Sequence, residues 1–314
     1  MSPVGTGIAG QVGFAVEATY GTAVTVTRFV EVDKWSLKKV PTWARSAGIR
    51  SGQMMPRSED ALISTFDVTG SMEMDLTAKN MAILFKHALG TAVTTGAGPY
   101  THTITPGDKL GLGLTQQGGL PSVDGTVQPL TASGVKITGF EVSWERDKFL
   151  TVKWDLLAKD LVTATALATA SYLSSNLPFG WPHVAVTIGG TAFKSLSGTV
   201  KYAQPLGPRF YAGQTTTDQP LQNTNIAASL ELTGHLEGLT HYARTLDGTE
   251  AAVSVAVTNG ANSITFSGNA RFLDGAPELA GIDYVEQPLT AEFAATGADS
   301  TGFQVVVVSA ESVP

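Results

Sequence analysis

Apolar and polar residues alternate along much of this chain, which is the pattern of a strand with one buried and one wet face. β-Branched and aromatic residues are concentrated in the same segments. The alternation therefore predicts that most of the chain is antiparallel β-structure. The segments concerned are residues 61–76, 135–144, 149–157, 184–188, 227–232, 253–257, 263–266 and 303–308.

Residues 78–89 have a different pattern, in which apolar residues recur every three or four positions. This spacing predicts a helix. Thr77 is a residue type that caps helix starts, and Gly90 is one that ends helices. We therefore expect one helix directly after the long strand at residues 61–76.

This combination of a strand and a helix occurs twice in the sequence. SMEMDLTAKNMAILFKHALGT, which begins at Ser71, aligns without a gap on SLELTGHLEGLTHYARTLDGT, which begins at Ser229. Serine, glutamate, glycine and threonine are identical at 71/229, 73/231, 90/248 and 91/249, and apolar positions stay apolar. A Gly-Gln pair precedes each copy, at residues 52–53 and 213–214. We interpret the pattern as a tandem duplication.

These elements indicate an all-β fold of the β-sandwich type, with one flanking helix in each of two tandem related modules. A doubly wound parallel sheet would need more helices. The division that we predict is an N-terminal arm at residues 1–33, a first module at 34–160, a linker at 161–183 and a second module at 184–314.

The chain has 314 residues, a length typical of two domains, and it contains 34 glycines, no cysteine and only 15% charged residues. The absence of cysteine excludes disulfides, thiolate metal sites and cysteine nucleophiles. A surface poor in charge suits a protein that is largely covered by copies of itself, so self-assembly is a candidate property.

The net charge of −7 lies entirely in the second half of the chain. Residues 1–160 hold 15 basic and 15 acidic side chains, which leaves 5 of the 20 basic and 12 of the 27 acidic side chains for residues 161–314. An acidic protein of this kind is not expected to bind nucleic acid by neutralising phosphates.

The sequence offers no convincing catalytic or ligand-binding motif. Gly5, Gly7 and Gly10 form a G-x-G-x-x-G pattern, but only four residues precede it, so a flexible glycine arm is the preferred interpretation. The five histidines lack the spacing of a metal site, and paired acids such as Glu59 and Asp60 are read as solvated strand faces. We therefore predict no catalytic residues, no cofactor, no metal and no enzymatic activity.

Several stretches resemble siphophage major tail tube proteins. They are the opening GIAGQVGFAVEATYGTAVTVTRFVEV, the Gly/Arg-rich loop before a strand that ends TGSMEMDL, the helix that ends at Gly90, and GPYTHTITP from Gly98. These stretches cover most of the first module. The second module lacks the THTITP segment and is poor in basic residues, so its kinship rests on the internal repeat.

The resemblance implies a tail-tube-like fold and a structural virion protein, whose stacked rings form the channel for genome ejection. Two modules in each chain favour a ring of three chains with pseudo-sixfold symmetry over a ring of six, in which six first modules would line the channel and the second modules would decorate the exterior. A tape measure protein and tail terminator and tip proteins are the partners implied, and DNA passes without specific binding. We expect synthesis in the bacterial host cytoplasm, no membrane association and a final location in the virion tail.

Two sets of residues are expected to serve such an assembly. Polar loops at residues 45–60 and 207–225 are predicted to stack on a neighbouring ring. Strand carboxylates are predicted to lie on the wet face of their strands, because their neighbours in sequence are apolar and face the core. The alternation leaves the channel and the tail exterior both open for this face, and the channel is our hypothesis. The stacking set is Arg45, Arg50, Gln53, Arg57, Arg209, Tyr211 and Gln214, and the channel set is Glu73, Asp75, Glu141, Glu145 and Glu231.

One alternative from another class stays open, which is a β-sandwich that decorates a virion or binds carbohydrate. The tryptophans at positions 35, 43, 144, 154 and 181 could form a sugar platform. Most of them lie in or beside strand patterns, so core positions are the preferred interpretation.

Overall fold

The computed structural model describes residues 5–277, 279, 282, 284–297 and 301–314. Within these residues the chain forms twenty-one strands and two α-helices, and the pairings between its strands are antiparallel. The prediction of a mostly antiparallel β-protein with a helix after each of the two similar strands is confirmed.

The first half of the chain contains eleven strands and the longer helix, α1 (Met81–Leu89). The strands are β1 (Gln11–Val16), β2 (Arg28–Val30), β3 (Lys34–Trp35), β4 (Lys38–Arg45), β5 (Ala61–Asp75), β6 (Gly90–Thr95), β7 (Tyr100–Pro106), β8 (Leu114–Pro121), β9 (Val127–Trp144), β10 (Thr151–Ala158) and β11 (Asp160–Val162).

The second half contains ten strands and the shorter helix, α2 (Thr240–Asp247). The strands are β12 (Val184–Ile188), β13 (Thr191–Phe193), β14 (Ser195–Ala203), β15 (Leu206–Arg209), β16 (Asp218–Gln222), β17 (Ala227–His235), β18 (Ala251–Asn259), β19 (Asn262–Asp274), β20 (Glu286–Phe293) and β21 (Phe303–Ser309).

The largest layer is a sheet that we call the inner sheet, which runs through both halves of the chain. Its strand order is β3/β4, β5, β10, β9, β14, β17, β20 and β19. The pairing of β9 with β14 joins the two halves, because residues 139–144 lie opposite residues 198–203. The sheet is continuous across this junction.

Two further sheets cover the inner sheet, and the long strands β9 and β19 bend to take part in both layers. One outer sheet has the order β2, β1, β8, β9 and β11. The other has the order β6, β7, β21, β19, β18, β12 and β13. In β9 the layers meet near Gly134, whose φ of 61° is one that glycine adopts without strain.

The two halves share a set of strand pairings in the same relative order. In the described residues, seven antiparallel pairings of the first half have a counterpart in the second. They are β1·β2 and β12·β13, β1·β8 and β12·β18, β8·β9 and β18·β19, β9·β10 and β19·β20, β9·β11 and β19·β21, β5·β10 and β17·β20, and β4·β5 and β14·β17.

A single hydrophobic core extends across both halves. Phe85 of α1 stands edge-on to Phe140 and Trp154, with ring centroids 5.0 Å apart in each pair, and it also contacts Phe266 of β19 at 5.7 Å. Phe140 stacks on Tyr202 at 5.5 Å, directly at the junction of β9 and β14. Aromatic packing therefore supports the same junction that the backbone pairing makes.

The first helix begins later than the sequence predicts. It starts at Met81 rather than at residue 78, and Asn80 precedes it with a left-handed φ of 66°. Residues 77–79 are held in a non-helical conformation by residues of the linker. The Asn176 side chain accepts a hydrogen bond from the Lys79 N–H at 3.1 Å, and Thr77 pairs with Pro178. The predicted end at Gly90 is confirmed.

Several predicted boundaries also change. The strand predicted at residues 135–144 begins at Val127, and the one predicted at 263–266 runs from Asn262 to Asp274, because each strand serves two sheets. The strand predicted to begin at residue 149 begins at Thr151, since Asp147 forms a turn with a φ of 62°.

Residues that the sequence analysis assigned to an arm and a linker are part of the folded body. Strand β1 pairs with β8, and Phe14 is fully buried. In the linker, the Ala168 carbonyl accepts a hydrogen bond from the Gln11 side chain at 2.7 Å, and its N–H donates to Gln117 at 2.8 Å. The linker therefore packs along the first half of the chain and is hydrogen-bonded to it.

Gly198 is required for close packing at the junction of the halves. A Cβ at this position would meet the Trp144 ring, and it would lie 2.8 Å from a Leu232 methyl and 2.9 Å from the Glu231 carbonyl oxygen. We expect Gly198→Ala to lower the free energy of unfolding by about 1–3 kcal/mol and the thermal midpoint by several degrees.

The matched control is Gly238→Ala, because no atom lies within 4 Å of the added Cβ there. Thermal unfolding followed by circular dichroism measures both variants. An equal loss in the two variants would contradict close packing at the junction.

Candidate assembly surfaces

One face of the inner sheet is apolar and buried, and the other is polar and reaches solvent. In β5, Met72 and Met74 are buried against the core, whereas Glu73 and Asp75 lie on the opposite face and are partly exposed. The same alternation places Glu231 between the buried side chains of Leu230 and Leu232. We call the solvent-facing side the polar face.

A row of seven charged residues and one serine crosses the polar face from edge to edge. Each of the eight strand positions contributes one residue directly opposite its neighbour, and the signs alternate over the first five positions. In order, the row is Lys34, Glu73, Lys153, Glu141, Lys201, Ser229, Glu292 and Arg271. We call it the charge row.

Ion pairs link members of the charge row to each other and to neighbouring residues. Lys34 Nζ lies 3.5 Å from Glu73 Oε1, and Lys201 Nζ lies 3.0 Å from Glu231 Oε1. The hydrogen bond to Glu231, with the nearby Glu141 carboxylate, raises the pKa of Lys201. Arg271 Nη2 lies 2.6 Å from Glu250 Oε1.

The polar face contains four of the five carboxylates that the sequence analysis assigned to a channel. Glu73, Asp75, Glu141 and Glu231 are all on it. Burial, followed by the charges of Asp33 and Glu31, raises the pKa of Asp75. Glu145 lies apart, in the turn after β9, where it pairs with Lys148 at 2.6 Å.

A long hairpin projects beyond one end of the inner sheet. Strands β4 and β5 continue as a pair after β10 has ended opposite Val68, and residues 46–60 connect them. We call this hairpin the arm. Its apolar side chains are largely exposed, and Trp43, for which a core position was expected, is 53% exposed. The others are Val40, Ile49, Met54, Met55, Leu62 and Ile63.

The tip of the arm is held mainly by its own residues. Arg57 lies 3.3 Å from Glu59 and 3.4 Å from Asp60, and the Gln53 N–H donates to the Arg50 carbonyl at 3.2 Å. Arg45 and Arg50 are exposed and form no ion pair with the residues that the structure describes. The tip therefore exposes two arginines and several apolar side chains to solvent.

The second predicted loop, residues 207–225, is not an open loop. Most of it forms the hairpin of β15 and β16. This hairpin contacts the first half of the same chain, where the Phe66 N–H donates to the Thr215 carbonyl at 2.8 Å. Arg209 donates to the Gln219 carbonyl at 3.0 Å and to the Tyr211 hydroxyl at 3.2 Å, and it lies 3.3 Å from Asp218. Tyr211 and Gln214 are at the exposed tip of this hairpin.

Two buried lysines form the surface on which the β15–β16 hairpin sits. Lys136 Nζ donates to the Lys109 and Leu112 carbonyls and to the Gln219 side-chain oxygen, and Lys109 Nζ donates to the Ile137 carbonyl. Burial lowers the pKa of Lys109 to about 7 and that of Lys136 to about 8. These lysines have a structural role that the sequence pattern did not suggest.

The described residues contain no group of three or more His, Asp or Glu side chains placed to hold a metal ion. No α-helix within the described ranges has the length and apolar content needed to cross a lipid bilayer.

The family described as phage tail tube protein matches residues 7–295, which is nearly the whole chain. This chain belongs to the phage tail tube protein family. A search of curated proteins found no match.

The arm and the β15–β16 hairpin of this tail tube protein project from the same end of the inner sheet. Strands β5 and β17 run in the same direction, since four successive antiparallel pairings separate them, and each follows one of the two projections. We call this the arm end. The opposite end contains the turn at residues 145–150 and the segment between β17 and α2.

The two projections differ in how their backbone is bonded, which predicts different hydrogen exchange in the unassembled tail tube protein. Residues 206–209 and 218–222 pair with each other, whereas residues 48–56 have few backbone hydrogen bonds. We expect strong protection in the β15–β16 hairpin and almost none at residues 48–56.

Exchange measured by mass spectrometry on the free chain tests this difference. Equal protection of the two segments would contradict this difference in backbone hydrogen bonding between the β15–β16 hairpin and residues 48–56.

Proposed function

We propose that this tail tube protein forms rings of three chains, which stack to make the channel of the phage tail. One observation carries the proposal. The inner sheet consists of two sets of four strand positions joined through β9 and β14, and in the described pairings its outer edges, β3/β4 and residues 271–274 of β19, are unpaired on their outward side. An unpaired edge is a template for another chain, and a closed ring removes it.

We further propose that the two halves arose by tandem duplication. The support is the sequence repeat at an offset of 158 residues, together with the seven strand pairings that recur in the same order. On this view the first module begins at Gln11 rather than at residue 34, because β1 and β2 correspond to β12 and β13. The proposed modules are residues 11–162 and 184–309.

The junction inside the chain predicts the register between chains. At the inner junction, Glu141 lies opposite Lys201. In the first half, Glu73 and Glu141 both lie opposite Lys153. In the second half, Glu231, the repeat counterpart of Glu73, and Asp274 both lie opposite Thr290. Asp274 is therefore the counterpart of Glu141. Lys201 lies opposite Ser229, which is the repeat counterpart of Ser71. Ser36 hydrogen-bonds to Ser71 and is therefore the counterpart of Lys201. Asp274 of one chain is thus proposed to lie opposite Ser36 of the next.

A ring built from such contacts has few possible sizes. The two edges of the inner sheet differ, so the interface is head-to-tail, and it must close if it is not to grow without limit. Resemblance to single-module tail tube proteins suggests a ring of six modules, which three chains provide. The channel wall is then formed by three chains of eight strands each.

Stacking of rings is proposed to join the arm end of one ring to the opposite end of the next. The opposite end contains exposed apolar side chains, among them Phe149, Leu239 and Tyr284. These can cover the apolar side chains of the arm, and burial of apolar surface would drive the contact. Residues 48–56 should then gain protection from hydrogen exchange when tubes form.

The polar face is proposed to line the channel through which the genome leaves. Its apolar reverse is already covered by α1 and the outer sheets, so the polar face is the free side of the inner sheet. By the resemblance described above, a tape measure protein occupies this channel before ejection, and terminator and tip proteins close the ends of the tube.

Paired cysteines test the ring directly, because the natural chain has no cysteine of its own. Directly opposed residues of antiparallel strands have Cα atoms about 4.5–5.5 Å apart, within the range of a disulfide. We expect assembled tubes of a Ser36→Cys, Asp274→Cys variant to give bands of one, two and three chains on a non-reducing denaturing gel, and none larger.

Two control variants accompany this measurement. Glu141→Cys with Lys201→Cys should cross-link only within the chain, and Ser36→Cys with Glu231→Cys should not cross-link, since β17 lies two strands inside the edge. A ladder that continues to six chains would refute the three-chain ring. Intact tubes without any Ser36–Asp274 cross-link would refute the proposed register.

A further inference from the structure

The charge row contains four cations on a face that, under the proposed function, meets DNA. Lys34, Lys153, Lys201 and Arg271 belong to it. A row of free cations repeated along a tube would bind phosphate, because each phosphate contact releases counterions and adds affinity. The polar face thus combines these cations with carboxylates that the sequence analysis assigned to a channel, and the cations need an explanation.

Lys34 and Lys153 in the first half lie beside carboxylates. Lys34 pairs with Glu73 at 3.5 Å. Lys153 lies between Glu73 on one neighbouring strand and Glu141 on the other, and its Nζ is 4.0 Å from Asp155. Directly opposed residues have Cβ atoms about 4.5–5.5 Å apart, so opposite charges there attract.

Lys201 and Arg271 in the second half also lie beside carboxylates. Lys201 lies opposite Glu141 and pairs with Glu231 at 3.0 Å. Arg271 lies opposite Glu292 and pairs with Glu250 at 2.6 Å. Lys153, Lys201 and Arg271 thus each have at least two carboxylates close to them, either across the strand pairing or in an ion pair, and Lys34 has one, Glu73.

We propose that these carboxylates make the polar face inert toward polyanions, by occupying cations that would otherwise bind phosphate. The inference rests on the proposed function for its biological meaning, because only a channel wall needs this property. Within the screening length of about 10 Å at 0.1 M salt, an approaching phosphate meets the carboxylates together with the lysines. The four cations of the row face six carboxylates, three within the row and three paired with it, so the row carries no net attraction for phosphate.

The proposal predicts that removing carboxylates converts the face into a binding surface. Glu73→Gln with Glu141→Gln keeps the side-chain shapes and leaves Lys153 without its two cross-strand partners. It also removes the partner of Lys34 and one neighbour of Lys201. Binding of the unassembled full-length chain to a fluorescently labelled short DNA duplex is measured by anisotropy at several salt concentrations.

We expect no binding by the natural chain at low salt and clear binding by the double variant. Because log K falls by roughly 0.9 per phosphate contact for each tenfold rise in salt, two freed lysines predict a slope of roughly −2. Adding Lys153→Gln to the double variant should remove most of the gain. Thermal midpoints close to that of the natural chain establish that the variants are folded.

The matched control is Glu145→Gln with Glu237→Gln. These substitutions change the net charge equally and also release two lysines, Lys148 and Lys194, but at separate positions outside the charge row. Equal DNA binding by the two double variants would overturn the proposal, and so would a folded Glu73→Gln, Glu141→Gln variant that binds no DNA. Neither outcome depends on rings, so failure here is distinct from failure of the ring proposal.

Discussion

The pairing of β9 with β14 is the interaction on which the rest of this structure depends. Six residue pairs join the two halves edge to edge, and Phe140 and Tyr202 stack beneath them. This contact makes one sheet from two sets of strands, aligns the charge row across both, and brings the β15–β16 hairpin onto the first half of the chain. It is also the template for the contact that we propose between chains. The proposed ring, its register and the proposed channel wall are extensions of that one contact.

Features with a local cause could be predicted from the sequence. Alternation in β5 and β17 placed Met72 and Leu230 in the core and Glu73 and Glu231 on the wet face, because a strand turns successive side chains to opposite sides. The end of α1 followed from Gly90, which takes the backbone conformation that stops a helix. The stretches at the start of the chain and around the first helix pointed to the family that the comparison shows.

Features that depend on contacts between distant residues could not be predicted in this way. The start of α1 is set by Asn176, 97 residues away from Lys79, and the bend of β9 by its membership in two sheets. The charge row was missed because its members are adjacent only across strands: Lys153 and Glu141 are twelve residues apart, and Lys201 and Glu141 sixty. Strand register, rather than composition, determines which carboxylates lie beside the cations of this row.

The most direct test of the account is the number of chains in one ring. Rings detached from tubes of the natural protein can be weighed by native mass spectrometry, which needs no substitution and no assumption about register. If the junction inside the chain is the template for the junction between chains, the mass corresponds to three chains of 32.7 kDa. A ring of six chains in one layer, with twelve modules, would contradict the account.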